Sequence, residues 1–148
     1  MTTEYYLNWI KDLHLQYDRV DSSRAELENL VLKISQNTTE TGFTLNTFFD
    51  RSNDIITSIN IEIVNLFAKS SGLVFLDEKE SGNVCFANSQ EIRSEYRQSF
   101  RLLDFLDYIN AFMHSSVYRE SQKIIIPSET DLFWQMVKMG TVLREEIN

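Results

Sequence analysis

Residues 90–118 constrain the fold more than any other part of the chain. Phe100, Leu103, Phe105, Leu106, Ile109, Phe112, Met113 and Tyr118 recur mostly at three- and four-residue steps, the spacing that lines apolar side chains along one face of an α-helix. A stretch this long and this apolar belongs in the interior. It predicts one central helix, or a kinked pair, with the rest of the chain packed around it. The remainder can supply that cover: 43% of the 148 residues are hydrophobic and 12% aromatic, against 24% charged. A chain of this length buries a core without help from disulfides or a metal.

The flanking segments carry helical patterns of their own. Tyr6, Trp9, Ile10, Leu13 and Tyr17 draw a stripe over 4–17, and Leu27, Leu30, Val31 and Ile34 draw a second after the capping candidates Asp21, Ser22 and Ser23. Two helices joined by a short turn predict an antiparallel hairpin. The polar run 36–42, ending in Gly42, closes it and marks the boundary between an N-terminal hairpin over 1–41 and a second region over 42–148, the two expected to form one compact unit. A short helix is expected over 43–50. A clearer one runs over 59–70, with Ile59, Ile63, Leu66 and Phe67 on one face and Gly72 placed to end it. The apolar runs 73–76 and 84–87, separated by charged and turn residues, predict a small β-hairpin. Ile124, Ile125 and Ile126 ahead of Pro127 read as extended, and Ser128 is expected to cap a last helix bearing Leu132, Phe133, Val137, Gly140 and Leu143. The predicted fold is mainly α, a compact helical domain of about five helices with a minor β-hairpin.

Charge and cysteine usage narrow the function. The single cysteine, Cys85, excludes an internal disulfide and a multi-cysteine zinc site, and it lies between Val84 and Phe86 as packing material rather than as a nucleophile. Neither histidine, His14 or His114, stands in metal-ligand spacing with another ligand. With no basic region ahead of an apolar stretch and no run long enough to span a bilayer, a cytoplasmic protein away from membranes is expected. The net charge is -8, with eight acids against four bases in the first 50 residues and fourteen against ten in the rest. DNA binding draws on basic side chains that neutralise phosphates, so this balance disfavours it. Arg93, Arg97 and Arg101 recur every fourth residue and would make a stripe on one helix face. The plainer reading is a solvated face paired with Glu91, Glu95 and Asp104.

Several blocks resemble the C-terminal tail of type ISP-like and related single-chain, adenine-specific DNA methyltransferase restriction-modification enzymes. They begin with Ile61-Glu62-Ile63-Val64-Asn65, Gly72-Leu73-Val74-Phe75 and Asp77-Glu78-Lys79-Glu80. Leu106-Asp107-Tyr108-Ile109, His114-Ser115 and Tyr118-Arg119-Glu120 follow, and then Ile126-Pro127, Phe133-Trp134, Gly140 and Leu143-Arg144-Glu145. The resemblance covers 59–148 and leaves 1–58 unmatched. Two departures qualify it: an insertion over 87–98 that carries the extra arginines, and a deletion after Glu120 of a basic helix end and a proline-containing turn, so the family's DNA contacts are not expected to carry over. The family's catalytic motif needs two adjacent prolines, and the only proline here is Pro127. Methyl transfer is therefore not expected, and no glycine-rich phosphate loop or helicase motif accompanies it.

Other candidate chemistry has a plain structural counterpart. Asp104 and Asp107 stand three apart and could share a proton or a metal, but exposed acids on an amphipathic helix explain them better. His114 is placed to cap a helix end. Tyr118 reads as buried and Arg119 as paired to Glu120 or Glu145, with a partner contact as the alternative. Phe133 and Trp134 point about 100° apart on a helix, so one of them is expected to face a partner, and Trp9 beside Tyr5 and Tyr6 raises the same question.

No enzyme activity and no cofactor are expected. The preferred function is a non-catalytic protein-interaction or accessory module, with a protein partner or self-association through Trp9, Arg93, Arg97, Arg101, His114, Tyr118, Arg119 and Trp134. The alternatives are a DNA-specificity accessory of a modification system and an acidic inhibitor of restriction.

Overall fold

The computed structural model describes residues 3–15, 25–36, 41–49, 59–76 and 98–147. Among them are seven helices and four short strands: α1 (Thr3–Leu15), α2 (Ala25–Gln36), β1 (Gly42–Phe43), α3 (Leu45–Phe48), α4 (Ile61–Ser71), β2 (Val74–Leu76), β3 (Ser99–Arg101), α5 (Leu102–Met113), α6 (Ser116–Ser121), β4 (Ile124–Ile125) and α7 (Thr130–Ile147). The protein is mainly helical, as the periodicity predicts.

Helix α5 is the axis of the structure. Every residue from Asp104 to Met113 is buried, as expected of a helix that is apolar nearly all round. Its principal neighbour is α7, while α1 lies against α5 and α2 against α7 and α6. The two N-terminal helices thus make their main contacts with the C-terminal half, and the turn expected to join them lies outside the described residues. Aromatic rings fill the centre. Phe67 meets Phe105, Tyr108 and Phe133 at centroid distances of 4.8, 5.3 and 5.5 Å, and Phe43 and Phe48 close on Phe105 from the other side at 5.9 and 5.4 Å.

Local chemistry sets the element ends. The Asn60 side chain accepts a hydrogen bond from the Glu62 amide at 3.0 Å and starts α4. Gly72 ends that helix at φ 77°, in the left-handed region. Thr44 opens α3 by accepting from the Thr47 amide at 3.2 Å, so 43–49 holds a strand residue followed by one helical turn. Within 90–118 the described residues 98–118 resolve as the kinked-pair alternative, with a strand ahead of the first helix. Phe100 sits in β3, α5 starts at Leu102, and the break falls at His114 and Ser115, where the Ser115 hydroxyl accepts from the Tyr118 amide at 3.2 Å to start α6.

The sheet and the face of α4 hold features that the local pattern does not show. Strand β2 pairs in parallel with β3, in the register Val74 to Ser99, Phe75 to Phe100 and Leu76 to Arg101; the run 84–87, expected to form a hairpin with 73–76, lies outside the described residues. Parallel pairing needs a long connection, and residues 77–98 provide one. The face of α4 is also rotated. Ile63, Val64, Phe67 and Ser71 are buried while Leu66 is 38% exposed, because this turn of the helix places Val64 toward the core. The extended piece before Pro127 is present as β4, antiparallel to β1 with Gly42 opposite Ile125 and Phe43 opposite Ile124.

Candidate functional site

The densest polar chemistry in the described structure lies where α1, α5 and α7 meet. It centres on Asp107, 1% exposed. Its Oδ1 accepts from the Tyr6 hydroxyl at 2.7 Å and from Arg144 Nε at 2.9 Å. Its Oδ2 accepts from Arg144 Nη2 at 3.3 Å, and the Thr141 hydroxyl stands 2.9 Å away. Each carboxylate oxygen thus faces two donors, which satisfies a charge that an apolar helix would otherwise reject. The Arg144 guanidinium also lies 5.8 Å from the centre of the Tyr6 ring, within cation–π range.

Sequence position explains how the groups converge. On α7, Thr141 and Arg144 are three residues apart and share a face. Gly140 precedes them at the crossing with α5, where a Cβ would overlap the Asp107 carbonyl oxygen and lie 2.8 Å from the Asp107 Cα. The absence of a side chain at 140 lets the two backbones approach closely enough for Arg144 to reach Asp107. Electrostatics follow from this arrangement. Burial, then the Asp107 charge and hydrogen bond, push the Tyr6 hydroxyl well above the ordinary tyrosine range, and the Asp107 hydrogen bond raises Arg144. Tyr6 therefore stays a neutral donor and Arg144 a cation.

This junction corrects the expectation that Asp104 and Asp107 are exposed acids. Asp104 is 5% exposed and accepts from the Arg101 backbone amide at 2.9 Å at the start of α5. Both acids sit in a helix with no solvent face, so each must be paired. Arg144 was visible in the sequence, but as part of a block rather than as a partner for Asp107.

The expected partner contacts fare differently from one another. Tyr118 is fully buried, and Trp134 is 3% exposed alongside the fully buried Phe133. The two rings contact one another at 4.8 Å, so neither faces outward as one of them was expected to, because helices pack on both sides of α7. Trp9 is half-buried against the core, whereas Tyr5 is 58% exposed. His114 forms the end of α5, with Nδ1 2.8 Å from the Asn110 carbonyl oxygen. Arg119 is exposed on α6, and the arginine that braces the core is Arg144. Arg101 ends β3 and lies across the start of α5, 3.4 Å from the Asp104 carboxylate. It is therefore not the last member of a helical stripe. Arg93, Arg97 and Cys85 lie outside the described residues.

The remaining polar groups also serve the fold. The Tyr108 hydroxyl donates to the Ile125 carbonyl at 2.6 Å, tying α5 to β4. The Glu28 carboxylate of α2 accepts from the Ser116 amide at 2.8 Å, a cap supplied across 88 residues that sequence reading missed, since a helix glutamate gives no signal of a distant partner. At the surface, Ala25, Glu26 and Leu27 of α2 and Met139, Val142 and Leu143 of α7 line a mostly apolar groove of about 420 Å³. Among the described residues no cluster of three metal-ligating side chains occurs, and no helix is long and apolar enough to cross a membrane. Comparisons of the chain with protein-family models, with curated proteins and with solved structures each returned no match.

Proposed function

We propose that this chain is a non-catalytic accessory module of a DNA restriction-modification system, acting in the cytoplasm through contacts with a protein partner. One observation carries the proposal: blocks through which the sequence resembles the tail of type ISP-like enzymes meet one another inside the fold. Asp107, from the first helical block, holds Arg144 from the last and abuts Gly140. Tyr108 bonds to Ile125, next to the Ile126-Pro127 block. Residues in such contacts are those a scaffold must keep whatever its surface does.

The same contacts argue against catalysis. A general base or nucleophile needs access to a substrate, whereas Asp107 and Tyr108 are buried and committed to partners within the chain. The net charge of -8 and the pairing of Arg101 with Asp104 favour a protein partner over DNA.

The test uses the full chain and the methyltransferase and restriction polypeptides encoded in the same genome, mixed in purified form. A defined complex by light scattering, with Kd of about 1 µM or tighter, is expected, together with no methyl transfer by the chain alone. A chain that stays monomeric beside every one of these proteins refutes the proposal. Duplex-DNA binding that weakens steeply between about 50 and 200 mM salt would move the assignment to the DNA-accessory alternative.

A further inference from the structure

Helix α1 enters the central junction through Tyr6. The ring is fully buried, and its hydroxyl donates to Asp107 Oδ1 at 2.7 Å. Arg144 lies 5.8 Å from the centre of the ring, and the fully buried Asn110 side chain, one turn beyond Asp107, faces the same hydroxyl. The seat on α5 and α7 therefore matches both parts of a tyrosine, with polar groups for the hydroxyl and a cation for the ring. Phenylalanine would fill it without bonding to Asp107.

The seat is complete without α1. Asp107 is bonded to Arg144 and faces the Thr141 hydroxyl, all of them on α5 and α7, so removing Tyr6 strands no buried charge. The hold on α1 is also confined. Among the described elements its one principal neighbour is α5, and among its described side chains Tyr6, Leu7 and Ile10 are the buried ones. An element docked by so few side chains opens at a lower free energy than the whole fold. What fits the seat is an amphipathic helix bearing a tyrosine and, four residues on, an isoleucine. The α1 of another copy carries both, and the seat it would meet there is identical to its own.

We propose that Asp107, Asn110 and Arg144 form a tyrosine-reading docking seat, and that it takes α1 from a second copy of this chain, giving a dimer by reciprocal exchange. Each copy supplies Tyr6 to the other's seat. The contacts are those already made within one chain, so exchange needs no new interface and is driven by concentration. The proposal does not rest on the function assigned above. A dimer formed without any restriction-modification protein supports it, and a complex with such a protein does not.

The experiment uses the full, unmodified chain, half of it ¹³C-labelled and half unlabelled, equilibrated together at about 1 mM, the weak end of measurable association. Light scattering should show dimers. Isotope-filtered NOE spectra should show cross-peaks between the Tyr6 ring of one copy and the Arg144 side chain of the other. A second arm adds a synthetic peptide spanning Thr3–Leu15 to the full chain carrying Ile10→Ala, whose own α1 is loosened by lost apolar burial. The peptide should bind this variant at least about tenfold more tightly than it binds the unmodified chain, because the seat stands open more often. A Tyr6→Phe peptide should bind the variant about tenfold more weakly, for want of the hydrogen bond to Asp107. A chain that stays monomeric at this concentration overturns the proposal, as do dimers without the cross-peaks or equal binding of the two peptides. The spectra of the unmodified chain decide the question even if Ile10→Ala does not fold.

Discussion

Replacing Gly140 by alanine sets two opposing effects against each other. Alanine is the better helix former by about 1 kcal/mol, so on an exposed face of α7 the change would stabilise. At 140, however, the new Cβ would overlap the Asp107 carbonyl oxygen and lie 2.5 Å from its carbonyl carbon and 2.8 Å from its Cα. Carbon atoms in ordinary contact stand about 3.5–4.0 Å apart, so α7 must withdraw from α5 by roughly 1 Å. The obstacle is backbone in the middle of a buried helix, and no rotamer change relieves it. Overpacking alone costs about 1–3 kcal/mol. The withdrawal also stretches the Thr141 and Arg144 bonds to Asp107, which brings the gross loss to roughly 3–5 kcal/mol, the upper range for single substitutions. Subtracting the propensity gain leaves roughly 2–4 kcal/mol. At about 2–4 °C per kcal/mol for a chain of this size, Tm should fall by roughly 5–15 °C in calorimetry or thermal circular dichroism. Gly72→Ala is the control. No atom lies within 4 Å of a Cβ there, so only its left-handed φ of 77° penalises alanine, by about 1–2 kcal/mol. An unchanged or higher Tm for Gly140→Ala would refute the reasoning, since it would mean that α5 and α7 do not touch at this point.

Three further outcomes follow from the same structure. Asp107→Asn keeps the shape but leaves Arg144 without its anion. Because the Arg144 side chain is 21% exposed and can recover some hydration, the cost should be about 2–3 kcal/mol rather than the full penalty of a broken buried pair, read as a lower urea midpoint at unchanged slope. Alkaline pH should destabilise the protein, because Tyr6 and Tyr108 both hold their protons above the ordinary value of 10.0. Below pH 10 their contribution is complete. Above it the unfolded chain ionises while the folded one does not, so stability should fall by up to about 1.4 kcal/mol per pH unit for each tyrosine. Urea titrations at several pH values, repeated on Tyr6→Phe and Tyr108→Phe, test this through a flatter profile in each variant. Gln122 caps α6 at φ 56°, a region costly for a residue with a Cβ. Gln122→Gly should therefore raise stability by about 0.5–1 kcal/mol, measurable as a higher urea midpoint.

The parts of the fold that the sequence exposed are those governed by local rules. The stripes of α1, α2 and α7, the end of α4 at Gly72 and the break at His114 and Ser115 depend on side-chain period and on capping within a few residues. What it concealed depends on pairing across the chain. Strand β2 pairs with Ser99–Arg101, far along the chain, and Phe100 reads equally well as the start of a helix. Asp104 and Asp107 were misplaced because acids three apart usually mark a solvent face. The corrective signal lay in the same segment. Leu102, Leu103, Phe105, Leu106, Tyr108, Ile109, Ala111, Phe112 and Met113 leave that helix no polar side, so an acid within it had to be buried and paired. A glycine, a threonine and an arginine at 140, 141 and 144 could have named the partner helix, since together they offer a close approach and two donors on one face.

That correction also bears on what kind of protein this is. A carboxylate enclosed among Tyr6, Thr141 and Arg144 cannot take a proton from a substrate, but it does fix how α5 lies on α7. A hydrophobic seam would tolerate sliding by a turn, whereas Arg144 reaches Asp107 in one register, with Gly140 directly over it. Tyr6 adds α1 to the same registration point. These contacts therefore encode a geometry, and the outward surfaces of the same elements are free to vary without disturbing it.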